Sequence, residues 1–148
     1  MDHNIVSELI SAGYRVIPPC NTANNPTAVY SALKKYAKKD QEHVICVSLD
    51  NQNNIISTDL VFIGTANSCT IQAREIFIKA LQRKAVNIII SHNHPSGSTD
   101  PSSEDLNVTR KIIQAGDLLG IPCLDHIIIS KNGFTSLRSE YSYLWNQI

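Results

Sequence analysis

Val86-Asn87-Ile88-Ile89-Ile90 is the stretch that most restricts how this chain folds. A nearly continuous apolar run of strand length offers no polar face to water, so it reads as a β-strand covered on both sides. Such a strand needs helices packed against its sheet, and the neighbouring sequence supplies them. Ala73, Ile76, Phe77, Ala80 and Leu81 form an apolar stripe at helical spacing, which predicts a helix over Ile71–Lys84. Further on, Ser102 or Ser103 is placed to cap a helix running to about Leu119, closed by Gly120 and stopped by Pro122. The 148 residues suit one domain with its own core. A hydrophobic fraction of 43% against 18% charged excludes a disordered chain, a collagen and a coiled coil.

The other elements follow from pattern. Residues 1–25 read as a short arm or lead-in helix and linker, because Pro18-Pro19 and the Asn-rich stretch after Asn21 break regular structure. The domain proper is expected over 26–148. Val29, Ala32, Leu33 and Tyr36 predict a helix from Thr27, with Lys34, Lys35, Lys38 and Lys39 on a solvated face. His43–Leu49 and Asn54–Ile63 read as the two arms of a hairpin. Leu124–Ser130, a turn at Lys131-Asn132-Gly133, and Phe134–Leu137 complete the strands. The order α-β-β-α-β-α-β-β predicts an α/β (α+β) fold, a mixed β-sheet flanked by helices.

Charge and cysteine content narrow the function. Thirteen Lys and Arg balance thirteen Asp and Glu, whereas proteins that grip duplex nucleic acid carry a basic excess. No strong nucleic-acid binding is expected. The four cysteines, at 20, 46, 69 and 123, include no Cys-x-x-Cys pair, so neither a zinc knuckle nor a disulfide framework is indicated. Cys46 and Cys123 read as small core residues. No secretory signal is visible at the start, and no apolar run approaches the ~20 residues of a membrane helix. No membrane association is expected, and a cytoplasmic location is.

The chemistry is concentrated in Ser91–Asp105. His92 and His94 stand two apart where the apolar strand ends, and strand residues i and i+2 project to one side. Two imidazoles on one side can share a metal ion. Pro95 and Gly97 turn the chain, and Asp105 lies in the first turn of the next helix, from which its carboxylate could reach back. Two nitrogens and one oxygen would leave a fourth position for water, the layout of a catalytic zinc. A His-x-His pair alone is weak evidence, since such pairs also lie in loops without metal. The further Ser and Asp make the pattern more restrictive.

His92-x-His94, seven residues, Ser102, two residues and Asp105 match the JAMM (MPN+) metalloprotease motif H-x-H-x7-S-x-x-D. Asn93 and Pro95-Ser96-Gly97 resemble the RadC branch of that superfamily, as do Gly64-Thr65 with Asn67-Ser68, Arg74-Glu75, Leu119-Gly120-Ile121 and Leu124-Asp125-His126. The likeness runs from about Pro26 to the C-terminus. It implies a JAMM/cytidine-deaminase-like three-layer architecture and a zinc-dependent hydrolase of peptide or isopeptide bonds, with a protein or peptide as substrate. It also implies one Zn2+ per chain, held by His92, His94 and Asp105. Ser102 would steady the metal-bound water or the oxyanion. The resemblance calls for an upstream glutamate as general acid/base at the opening of an early strand, and Glu42 occupies that place. Glu75, on a helix packed against the sheet, reads as a structural contact. Glu104, in a helix first turn, reads as a surface carboxylate.

The chain departs from its resemblance at two points. Residues 1–25 are too short for the helix-hairpin-helix region of many RadC-type proteins, so a DNA-directed role inferred from that region does not carry over. A DNA-repair-associated accessory or interaction protein without protease activity stays open as the alternative reading, with the zero net charge against it. Gln72-Ala73 stands where the family commonly has His-Pro. A zinc deaminase would need His-x-Glu and Pro-Cys-x-x-Cys, and neither occurs. His126, next to Asp125, could pair with that carboxylate behind a metal-binding histidine, but reads better as a strand residue with a structural hydrogen bond; His3 and His43 read as incidental. Tyr141 and Trp145 read as a docking tail or partner surface.

Overall fold

The structure is a computed structural model and describes residues 11–13, 22–64 and 71–146. His3, Cys20, Cys69, Asn67-Ser68 and most of the expected N-terminal arm lie outside the described residues. The elements in chain order are α1 (Pro26–Ala32), β1 (Glu42–Leu49), β2 (Ile55–Gly64), α2 (Ala73–Gln82), β3 (Asn87–Asn93), α3 (Ser103–Leu119), β4 (Cys123–Ser130), β5 (Gly133–Ser136) and α4 (Leu137–Glu140). Short 3-10 turns follow α1 at Lys34–Tyr36 and α4 at Ser142–Trp145. The strands form one mixed sheet in the order β2-β1-β3-β4-β5, with only the β3–β4 pair parallel.

The apolar run sits at the centre of that sheet, as its composition requires. Ile88 and Ile90 point to one face, with Val44 and Cys46 of β1, against Ile76, Phe77 and Ala80 of α2 and Ile112 and Ile113 of α3. Ile89 points to the other face, with Ile45, Val47, Leu49, Ile127 and Ile129, against Val29 and Leu33 of the α1 region. Helices therefore cover both faces, and the expected three layers are present. The strand itself differs from the expectation at both ends. Val86 lies outside it and is 45% exposed. β3 instead continues through His92 and Asn93, which are paired with Val44 and Ile129. Polar side chains hid this extension from a reading based on hydrophobicity.

Capping sets the helix ends. Asn25 Oδ1 accepts the Ala28 N–H at 2.8 Å to open α1, one residue before the expected start. Gly120, at φ 71°, closes α3 in the left-handed conformation that favours glycine. Before α1, Thr22 forms a bridge with Asn54, and Ala23 N–H donates to Asn53 O at 2.8 Å, so this end of the expected arm is fastened to the β1–β2 turn. Lys34, Lys35, Lys38 and Lys39 are exposed.

The C-terminal segment settles on the chain's own core. Leu144 is buried, and the Trp145 indole N–H donates to Cys123 O at 2.7 Å while the Arg138 guanidinium lies 5.2 Å from its ring. Cys46 and Cys123 are free, buried thiols, as expected. Burial pushes the Cys46 thiol up to about 12 and moves Cys123 in the same direction. Both are inert core groups.

Ile88 is fully buried on the central strand, whereas Val86 just before it is not. Ile88→Ala should therefore destabilise the fold by about 2–5 kcal/mol, and Val86→Ala by no more than about 0.5 kcal/mol. Urea unfolding of the two variants tests the difference.

Candidate metal centre

Three elements bring four side chains to one point at the C-terminal end of β3. The pleat gives Ile88, Ile90 and His92 the same face, and His94 follows just past the strand end. β1 runs antiparallel to β3 with Val44 opposite His92, so Glu42, two residues back on the same face, lies beside the histidines. α3 buries Asp105, Thr109, Ile112, Ile113 and Gly116, a helical stripe that faces the sheet. Asp105 begins that stripe, so its carboxylate points at the strand end rather than at solvent.

The loop between β3 and α3 is pinned so that this meeting occurs. Gly97 has φ 90°, and a Cβ there would stand 2.8 Å from Asn132 Nδ2. The positive φ favours glycine, and a side chain there would also make Asn132 shift from its hydrogen bond to Gly97 O. Gly97 O accepts from Ser130 Oγ at 2.9 Å and from Asn132 Nδ2 at 3.1 Å. Ser102 caps α3 in a reciprocal box: its Oγ accepts the Asp105 N–H at 3.1 Å, and its own N–H donates to Asp105 Oδ2 at 2.9 Å. The cap thus fixes the carboxylate as well as the helix end. The Ser102 hydroxyl proton is not consumed by it.

Asn93 holds the Glu42 side of the centre from the opposite face of β3. Its Oδ1 accepts the His43 N–H at 2.6 Å, and its Nδ2 donates to Gln41 O at 3.0 Å and Lys39 O at 3.3 Å. These bonds bracket Glu42 and clamp the entry to β1. The sequence marked Asn93 only as part of a resemblance; its partners are about 50 residues away and leave no local pattern.

The four ligand-type atoms lie within 4.8 Å of one another. His92 Nε2 is 2.9 Å from His94 Nε2, 3.3 Å from Asp105 Oδ1 and 3.4 Å from Glu42 Oε1, and His94 Nε2 is 3.3 Å from Asp105 Oδ2. The donor set fits a divalent cation. His94 Nδ1 is 3.0 Å from Ser98 O, a carbonyl that can only accept, so Nδ1 carries the ring proton and the neutral ring turns its Nε2 lone pair to the centre. Nitrogen and carboxylate donors converging in this way suit zinc or a similar metal. His92, His94, Asp105 and Glu42 are all in the group. Glu75 and Glu104 are not: Glu75 stays in the first turn of α2, and Glu104 is exposed and accepts from Ser103 Oγ.

His126 is a hydrogen-bonded residue of β4, as expected, but its side-chain partners do not include the neighbouring Asp125. It is buried, and its ring lies against His92, with Nε2 2.7 Å from His92 Nδ1 and Nδ1 2.6 Å from Thr109 Oγ1. Asp125 does not pair with that ring; its carboxylate accepts from the His126 N–H, Ser136 Oγ and the Arg138 N–H. Strand alternation could have placed His126 on the face of His92, but the β3–β4 register was not readable from sequence. His43 stays outside the centre, with Nδ1 2.8 Å from Gln41 O and its ring 5.9 Å from that of Tyr36.

A five-stranded mixed sheet between helices, with two histidines, an aspartate and a glutamate at a strand end, defines an α/β domain with a candidate metal centre. The chain belongs to the RadC-like JAB domain family, which matches residues 23–142. It is 49% identical to a UPF0758 protein of Bacillus licheniformis over 104 residues, 70% of this chain and 46% of that protein. It is 47% identical to one of Streptococcus agalactiae over 106 residues, 72% and 47% of the two chains. A UPF0758 protein of Desulforamulus reducens is 45% identical over 101 residues, 68% and 44% of the two. The matched region spans less than half the length of these relatives. Among the described residues, no helix is long and apolar enough to cross a membrane.

Protons compete with any cation at this point. Burial works against the charged ring of His94, but the Asp105 carboxylate and the Ser98 carbonyl outweigh it and raise its pKa above the ordinary 6.5. Burial likewise opposes the Asp105 charge, and the two histidines overcome it, holding the carboxyl below the usual range. A group with a raised pKa holds its proton to higher pH. Zinc affinity, measured by chelator competition between pH 5 and 8, should therefore fall as pH drops, beginning above pH 6.5. An affinity that is flat across this range would contradict the assignment of His94 to the centre.

Proposed function

We propose that the chain is a zinc-dependent hydrolase of peptide or isopeptide bonds, with His92, His94 and Asp105 as the metal ligands. The observation that carries this reading is the convergence of Glu42, His92, His94 and Asp105 within 4.8 Å in a chain of the RadC-like JAB domain family. Zinc, when bound, supplies Lewis acidity that lowers the pKa of a water to about 7 and polarises a carbonyl.

The remaining work falls to the protein. Asp105 lies 3.3 Å from each histidine, one through each oxygen, whereas Glu42 lies 3.4 Å from His92 and comes from a separate strand. That asymmetry supports Asp105 as ligand and Glu42 as general acid/base. The Glu42 carboxylate accepts a proton from the attacking water and returns it to the departing amine nitrogen. The Ser102 hydroxyl donates a hydrogen bond to the oxyanion formed from the scissile carbonyl. The Asn93 clamp fixes the backbone on both sides of Glu42. A polypeptide is the proposed substrate; the formal net charge of zero argues against duplex DNA.

Glu42→Gln keeps the size of the side chain and removes its basic oxygen. With a peptide library as substrate, it should lower hydrolysis by roughly 10²–10⁴ while zinc content is retained. Glu75→Gln should leave turnover unchanged. Zinc loss from Glu42→Gln would instead make Glu42 a ligand, and an essential Glu75 would move the base to α2.

A further inference from the structure

We propose that His126 and Thr109 are positioning residues of the metal centre: with the Asp105 backbone carbonyl they form an ordered hydrogen-bond chain that keeps the His92 Nε2 lone pair aimed at the cation. The inference rests on the metal reading above, and its direct test does not require metal.

The direction of the chain follows from where protons can be. Thr109 Oγ1 lies 2.6 Å from Asp105 O. A carbonyl has no proton to give, so at that distance the hydroxyl proton belongs to this bond. Thr109 Oγ1 also lies 2.6 Å from His126 Nδ1. The hydroxyl has no second proton, so Nδ1–H of His126 donates. The His126 ring is 1% exposed, and among the described residues no carboxylate oxygen is bonded to it; a charged ring there would be costly, so Nε2 is bare. His92 Nδ1, 2.7 Å away, must then donate to it. A neutral imidazole with its proton on Nδ1 has its lone pair on Nε2. That atom is the one facing His94, Asp105 and Glu42.

The chain closes on itself. It starts at one proposed ligand, His92, and ends on the backbone of another, Asp105. Three elements contribute: β3, β4 and α3. The spacing on α3 explains the last link, since Thr109 is one helical turn after Asp105 on the same buried face. His94 reaches the same tautomer by a separate and local route, through Ser98 O. With both rings neutral, the two Nε2 atoms present lone pairs 2.9 Å apart, an arrangement that a cation, or a proton competing with it, relieves.

Thr109→Val preserves shape and removes the acceptor. His126 then has no reason to keep its proton on Nδ1. With the proton on Nε2, it would donate to His92 Nδ1 and force the His92 proton onto the nitrogen that should bind metal. Zinc affinity by chelator competition should fall about 10–100-fold, the usual effect of losing an orienting partner of a metal-bound histidine. Thr109→Ser, which restores the hydroxyl, should restore affinity. A merely structural threonine would change thermal stability and leave affinity alone.

The direct test is long-range ¹H–¹⁵N correlation of the imidazole nitrogens in the full, metal-free chain. The expected result is a protonated Nδ1 and bare Nε2 on His92, lost in Thr109→Val. A native His92 protonated on Nε2 would overturn the proposal, as would a Thr109→Val chain with native zinc affinity. A native chain that shows the expected tautomer but binds no zinc would overturn the metal reading, and the positioning role with it.

Discussion

The two-residue period of β3 is the constraint on which the rest of the molecule depends. One alternation serves two purposes: Ile88 and Ile90 enter the core beneath α2 and α3, and His92 continues the same face into the centre. Residues of the alternate set, Ile89 and Asn93, serve the other face, where Ile89 joins the second core and Asn93 clamps the start of β1. A shift of one residue in register would exchange the two sets. It would bury the clamp beneath α3 and turn His92 away from Asp105. Folding energy and site geometry are therefore specified by the same strand, and the hydrophobic core holds the histidines in place.

The centre is stabilised from several directions, with little slack in any of them. Ser102 fixes Asp105 through the helix cap, Ser98 O sets His94, Asn93 brackets Glu42, and His126 with Thr109 sets His92. Gly97, at φ 90° against Asn132, allows the connecting loop to turn tightly enough for α3 to begin beside the strand end. Each support is a backbone group or a side chain with a defined proton position. This is the condition for holding donor atoms within a few tenths of an ångström of a working geometry.

Much of this was readable before any coordinates, for identifiable reasons. The unbroken apolar run predicted the central strand, and the stripes at 73–81 and the cap at Ser102 predicted the helices, because hydrophobic period and capping are local properties. His92, His94, Ser102 and Asp105 were visible because they fall within fourteen residues and share a recognisable spacing. Glu42 was reached only through resemblance, since its approach to His92 depends on an antiparallel pairing across fifty residues. The extension of β3 through Asn93 was missed because polar side chains mask a buried strand. A supporting role for His126 was considered only through the adjacent Asp125; its actual partners, His92 and Thr109, depend on the β3–β4 register and on helix packing, neither of which leaves a local trace.

The central claim is that the convergent donors hold one metal ion, and anomalous diffraction from crystals of the chain grown with zinc tests it most directly. The account predicts a single strong peak at the zinc edge, at about 2.0–2.2 Å from Nε2 of His92, Nε2 of His94 and a carboxylate oxygen of Asp105. Glu42 should lie beyond bonding distance of that peak. No peak there in crystals that hold zinc elsewhere, or a metal ligated through His126 in place of His92, would contradict it.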